Sequence, residues 1–300
     1  MASNRHCIFP MASSGKYRMD HSMNLLPLNV PKILKQFNLK PDKRLGQNFL
    51  LDQAALERIV NAADIQSYDS ILEIGAGIGN LTRYLCINAD RVFAVELDDR
   101  LIPPLQEVLS DFDNVEIIQG DILTLKPGDL IEQHSYKVVA NIPYYITSKL
   151  IRHLLESGNP PDRIVLTVQS EVAMRICAQP GKMSLLSLAV QVYGNPQIFG
   201  KIPAGAFYPI PKVDSAIVRI DLYSQPVIQY SHLDTFFRLA KAGFQQKRKA
   251  LRNSLGAGLH MTGAKAAEMI KAAGIDPLRR PETLSLEEWD KLVKAFETDL

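Results

Sequence analysis

The run Ser70-Ile71-Leu72-Glu73-Ile74-Gly75-Ala76-Gly77-Ile78-Gly79-Asn80 decides how the rest of the chain is read. Its first five residues read as a short strand. Three glycines at alternate positions then turn the chain into a helix predicted from Asn80 to Asn88. Glycines there let the backbone pass close to a ligand. The spacing is GxGxG and not the GxGxxG of dinucleotide sites, whose pyrophosphate rests on the helix N-terminus, so no pyrophosphate is implied.

Outward from this turn the chain alternates strand and helix. Strands are predicted at Arg91 to Val95, Val115 to Ile118, Lys137 to Ala140 and Arg163 to Val168, with helices at Asp98 to Leu109, Thr147 to Glu156 and Ser170 to Ala178. Upstream, Asp52 to Ala63 has helical spacing with Asp52 as N-cap. This rhythm predicts an α/β fold, a doubly wound, mainly parallel sheet. Helix Ser184 to Tyr193, segment Pro196 to Ile202 and the antiparallel-type strand Ala216 to Leu222 finish that domain. After Gln225-Pro226 only helices are predicted, at Leu233 to Phe244, Gly263 to Ala273 and Leu286 to Phe296. The expected division is a partly flexible arm over 1–42, a Rossmann-like domain over 43–225 and a small helical domain over 226–300.

Doubly wound sheets bind ligands at the carboxyl ends of their strands. Glu96 follows the second strand, where a carboxylate can accept hydrogen bonds from both ribose hydroxyls. Asp121 follows the third, placed to receive an adenine amino group. The fourth leads into Asn141-Ile142-Pro143-Tyr144. An adenosine with a short non-phosphate tail fits this set, and S-adenosylmethionine is the usual ligand of that description. The amino nitrogen of adenine is a poor nucleophile because its lone pair is delocalised into the ring. An Asn oxygen and a main-chain carbonyl beside the rigid Pro can accept both amino hydrogens and draw the nitrogen toward tetrahedral geometry, while Tyr144 offers a ring for the base to stack on.

With Arg44-Leu45-Gly46-Gln47-Asn48-Phe49-Leu50 and Ala206-Phe207-Tyr208-Pro209-Ile210-Pro211-Lys212-Val213-Asp214-Ser215 added, the chain from about Lys43 onward resembles the ribosomal RNA small-subunit adenine dimethyltransferases, the KsgA/RsmA family. The resemblance implies that Asn48, Leu50, Gly75, Glu96, Asp121 and Asn141 contact S-adenosylmethionine. It also implies that Asn141, Pro143, Tyr144 and Phe207 surround the target adenine. The expected reaction, a step in ribosome biogenesis, is in-line dimethylation of two neighbouring adenines in a hairpin loop near the 3′ end of small-subunit ribosomal RNA, without a metal. Two rivals stand beside it: an Erm-type large-subunit enzyme of macrolide resistance, and a non-catalytic organelle transcription or assembly factor of the same fold.

Charge is segregated along the chain. Residues 1–49 hold eight Lys/Arg against two Asp/Glu, 50–200 are net −8, 201–252 net +6 and 253–300 net −2. Two basic blocks flanking an acidic body suit a polyanionic partner. Within the second block Lys247, Arg248, Lys249 and Arg252 place four cations within six positions on a predicted helix, suited to RNA phosphates, as are Lys32, Lys35, Lys40, Lys43 and Arg44 of the arm. The expected substrate is the RNA within a partly assembled small ribosomal subunit.

With 46% hydrophobic and 22% charged residues the 300-residue chain is globular, and it lacks the roughly 18 apolar residues in a row that a membrane span needs. Cys7, Cys86 and Cys177 are far apart, and the six histidines lack metal-ligand spacing, so neither disulfides nor zinc are expected. A cytoplasmic monomer is expected. Residues 1–22 carry Arg5, Lys16 and Arg18 among Ser and Ala, compatible with a transit peptide, an untidy leader or a later start at Met11, Met19 or Met23.

Overall fold

The computed structural model describes residues 7–10, 25–131, 135–142, 146–246 and 248–298. Ten strands are recorded: β1 (Cys7–Pro10), β2 (Phe49–Leu50), β3 (Ser70–Ile74), β4 (Arg91–Glu96), β5 (Val115–Gln119), β6 (Lys137–Asn141), β7 (Arg163–Gln169), β8 (Gly194–Ile202), β9 (Phe207–Tyr208) and β10 (Ser215–Leu222). Eight of them form one sheet in the order β1, β5, β4, β3, β6, β7, β10, β8, while β2 and β9 make a separate antiparallel ribbon.

The five strands β3 to β7 run parallel to one another, and their central runs are mostly apolar because both faces are covered. All five residues of β3 are buried. Burying each Ile, Leu or Val is worth about 1.5–3 kcal/mol, so tertiary burial holds these strands more than β propensity does. The chain winds from β3 outward to β4 and β5, then crosses back to β6 and β7 on the other side. The crevice between β3 and β6 is therefore the switch point at which such sheets take ligands. β10 runs antiparallel to β7, from Ser215 opposite Gln169 to Asp221 opposite Arg163. It does not alternate as a half-buried strand would: Ser215 to Val218 are all buried, since β10 lies inside the sheet between β7 and β8.

Helix Gln53–Ala63 is capped by Asp52, whose Oδ1 accepts the Ala55 amide at 2.7 Å, a contact worth about 1 kcal/mol. It turns Ala55, Leu56, Ile59 and Val60 into the core. Within the stretch expected as a partly flexible arm over 1–42, the structure describes a helix that the sequence reading did not foresee. Helix Val30–Gln36, capped by Asn29, buries Val30 and Leu34 against Phe49, Ile78 and Leu101. β1, also unforeseen, pairs antiparallel with β5.

Contacts divide the chain into two compact units, 1–173 with 197–221 and 174–196 with 222–300. The second division lies close to the expected boundary at 225, but 174–196, assigned from sequence to the first domain, groups with the C-terminal helices. That unit is built from helices Leu185–Gln191, Leu233–Phe244, Leu251–Gly258, Gly263–Ala272 and Leu286–Thr298 around the buried ring of Trp289, which meets Phe236 edge-on at 6.4 Å and stacks with Phe244 at 6.2 Å.

Candidate active site

A cavity of about 290 Å³ opens at the carboxyl ends of β3, β4, β5 and β6. The six residues expected to hold a cofactor, Asn48, Leu50, Gly75, Glu96, Asp121 and Asn141, all line it. Its floor is the glycine turn. The amides of Gly75 and Ala76 donate to Val95 O at 2.9 and 3.2 Å, which ties the turn to β4. Gly75 and Gly77 hold φ values of 80° and 63°, where side chains are strained. A Cβ on Gly75 would lie 3.2 Å from the Asn141 carbonyl oxygen, and one on Gly77 would lie 3.2 Å from the Phe49 ring.

Glu96 is 6% exposed. Its Oε2 accepts the Gly77 amide at 2.7 Å and its Oε1 the Asp98 amide at 2.8 Å. Burial pushes its carboxyl upward, and these two amides pull it back. Asp98 in turn is gripped by Arg100 through Nε and Nη2 at 2.8 and 2.6 Å, which holds its carboxyl below the usual range. Gln47 Nε2 donates to the same carboxylate at 2.7 Å, and Gln47 Oε1 accepts the Asp42 amide at 2.7 Å. The segment 44–50 is thereby fastened along the cavity rim.

Asn48 donates to Gly46 O at 3.0 Å, and the Leu50 carbonyl accepts Asn80 Nδ2 at 2.7 Å. Asn141 closes β6, where its Nδ2 approaches Asn48 O at 3.4 Å. That contact turns the NH₂ of the planar amide toward Asn48 and its oxygen to the opposite side. Asp121 is exposed on the rim, with its Oδ1 accepting the Leu123 amide at 3.0 Å. Pro143 and Tyr144 lie outside the described residues. Phe207, expected beside the target adenine, is 2% exposed and packed in the core with Leu50 and Ala206. It pairs with Leu50 across the β2–β9 ribbon, which directs its ring inward.

The expected basic helix is corrected as well. Helix Leu233–Phe244 ends before Gln245, and the next begins at Leu251, so Arg248 and Lys249 stand exposed in the turn between them and Arg252 is exposed in the first turn of the second helix. Lys247 lies outside the described residues. Sequence reading assigned no role to Glu73, Asn80, Gln47 or Asp98. An acid inside the otherwise apolar strand SILEI, and an Asn directly after the last glycine, were the available signals.

A family model described as ribosomal RNA adenine dimethylase matches residues 38–298. The chain belongs to the ribosomal RNA adenine dimethylase family. Family members similar to it include the ribosomal RNA small subunit methyltransferase A of Dehalococcoides mccartyi strain CBDB1, 44% identical over 286 residues, covering 93% of this chain and 98% of that protein. The protein of the same name from Alkaliphilus metalliredigens is 42% identical over 275 residues, covering 89% and 96%. Among solved structures, a dimethyladenosine transferase from Plasmodium falciparum superposes with a TM-score of 0.71 at 25% identity, covering 83% of this chain and 98% of its own. The 23S rRNA methyltransferase ErmE gives 0.68 at 28%, covering 83% and 99%. This ribosomal RNA adenine dimethylase is accordingly an enzyme with the Rossmann-like methyltransferase fold of those structures.

Proposed function

We propose that the enzyme uses S-adenosylmethionine to dimethylate two adjacent adenines in a hairpin loop near the 3′ end of small-subunit ribosomal RNA, during assembly of the subunit. The observation that carries this reading is the convergence of Gly75, Glu96, Asp121 and Asn141 on one cavity at the switch point of the sheet. Relatives 39–44% identical over most of the chain, all named for the small subunit, favour it over the large-subunit rival.

The residues fit the cofactor. The cradle at Gly75 and Gly77 is one that a Cβ would fill, the buried Glu96 carboxylate suits ribose hydroxyls, and the volume is close to the roughly 300 Å³ at which ligand pockets begin. When bound, S-adenosylmethionine supplies a methyl group on a positively charged sulfur, so no metal and no covalent enzyme intermediate is required. What the protein adds is position and charge placement. The Asn141 oxygen, turned away from Asn48, and a main-chain carbonyl of the same motif accept the two amino hydrogens of the adenine. Tyr144 stacks on the base.

Arg248, Lys249 and Arg252, with Lys247, meet RNA phosphates, which supply affinity without sequence. Among the described residues no helix is long and apolar enough to cross a membrane. The reading is completed by a monomer acting in the cytoplasm on a partly assembled particle. Incubating the enzyme with labelled cofactor, the particle and the isolated hairpin tests it. Label at two adjacent adenines, and faster on the particle, is expected. Label confined to large-subunit RNA would favour the resistance-type enzyme, and no label on any RNA the binding factor.

A further inference from the structure

Among the described residues the cavity wall holds one cation, Lys149, together with the acids Glu73, Glu96 and Asp121. Lys149 is the third residue of helix Thr147–Leu155, the helix that follows β6 and its terminal Asn141 in the chain. Ile146, one turn earlier, lines the cavity as well, so this face of the helix is turned to the site. Lys149 is exposed, and it is recorded in no ion pair among the described residues. Arg152, the next cation along the helix, is by contrast held by Glu156, whose Oε1 accepts from its Nε at 2.7 Å. A cation is also out of place where Lys149 stands. The aligned peptide dipoles put partial positive charge at a helix N-terminus, which favours acids there and bases at the other end. This helix has no acid in its first turn, and its N-cap residue Ile146 makes no side-chain capping bond. Positive charge is thus gathered at one point of the cavity mouth against the local preference, and an incoming anion would offset it.

We propose that Lys149 grips a backbone phosphate of the nucleotide whose adenine is drawn into the cavity, and so positions that base against Asn141. The inference rests on the reading that the enzyme methylates adenines of RNA with S-adenosylmethionine. Two anions come to this cavity under that reading, the carboxylate of the cofactor and the phosphates of the RNA. The cavity, at about 290 Å³, has the volume of one small ligand, and Lys149 is exposed at its mouth. A nucleotide turned out of its stack carries its base into the pocket and leaves its phosphates at the mouth. The phosphate is therefore the anion that Lys149 meets. Such a contact fixes where the nucleotide sits and reads no sequence, which makes Lys149 a positioning residue. It acts at the cavity itself, apart from Arg248, Lys249 and Arg252 in the other compact unit.

Methylation of the partly assembled small subunit at limiting substrate, followed between about 0.05 and 0.3 M salt, tests the contact. Lys149→Gln should lower kcat/KM about fivefold near 0.1 M salt and flatten its fall with log salt by about 0.7, the value for one single-strand phosphate. Lys149→Arg should restore both. Lys149→Glu should fall below Lys149→Gln by a margin that narrows as salt rises. Calorimetry should find the same S-adenosylmethionine affinity in wild type and Lys149→Gln, and Tm should not drop, since a cation has left a helix N-terminus. A wild-type salt slope in Lys149→Gln would return Lys149 to a solvated helix face and overturn the inference alone. Weaker cofactor binding with an unchanged slope would do the same, giving Lys149 to the cofactor's carboxylate. Equal losses in the Arg and Gln variants would make its role one of shape and also overturn it. In each of these outcomes the wild type still methylates the particle. Failure of the wild type to methylate it at all would overturn the proposed function and this inference with it.

Discussion

The Gly77 amide donates to Glu96 Oε2 at 2.7 Å, so the acid expected to bind a ribose also holds the glycine turn. With Asp98 N on its other oxygen, Glu96 is partnered on both sides before any ligand arrives. Glu96→Ala should therefore act twice. Loss of charge-assisted hydrogen bonds should weaken S-adenosylmethionine binding by roughly 2–3 kcal/mol, and the freed turn should lower Tm by several degrees. Calorimetry and a thermal melt on the same sample measure both. Unchanged affinity would remove Glu96 from the cofactor site.

Asn141 offers its acceptor where the amino group of the base must lose planarity, so its contribution should grow toward the transition state. Asn141→Ala should lower single-turnover methylation by about a hundredfold or more, with RNA affinity retained. Near-normal rates would refute the role. Tyr144→Ala should lose about 1–3 kcal/mol of stacking, and Tyr144→Phe should be mild.

Because Arg248, Lys249 and Arg252 stand exposed around the turn between two helices, their removal should leave the fold intact. Replacing them and Lys247 by Gln should weaken RNA binding and flatten its dependence on log salt by up to about 0.7–0.9 per lost phosphate contact. Cofactor affinity should stay as it was. A salt slope equal to wild type would leave these cations as a solvated surface.

Period and punctuation made the first unit legible. Ser70 to Ile74 and Asn80 to Asn88 were predicted with the bounds the structure records, because a buried apolar run and a glycine turn leave few alternatives. Helix Val30–Gln36 escaped because seven residues with a Pro in the first turn are too few to display a period, and its stability comes from Phe49, Ile78 and Leu101, distant in sequence. The two-residue strands β2 and β9 escaped for the same reason: they exist only as each other's partner. The cavity's strand-end residues could be read because they follow strands directly. The Gln47 to Asp98 clamp could not, since the pairing spans 51 positions and neither residue is unusual alone.

Glu73 also predicts how the stability of the empty enzyme varies with pH. Its folded-state value, raised to about 8, lies above the 4.5 of an ordinary glutamic acid. Between those values the folded chain keeps a proton that the unfolded chain has lost, so stability falls as pH rises. The contribution is fully present below about 4.5 and is gone once pH passes through the folded value near 8. Glu96, also raised by burial, acts in the same direction. Asp42, Asp64, Asp98 and Glu288 are lowered by arginines, so their contributions are present at neutral pH and are lost on acidification. Contributions from every other group cancel when wild type and Glu73→Gln are compared at each pH. Gln imitates the neutral acid in shape and cannot ionise. The two proteins should therefore melt at similar temperatures near pH 4.5, with the variant gaining steadily on wild type as pH rises toward 8.5. A melting difference that stays constant across that range would mean that Glu73 titrates as an ordinary carboxyl.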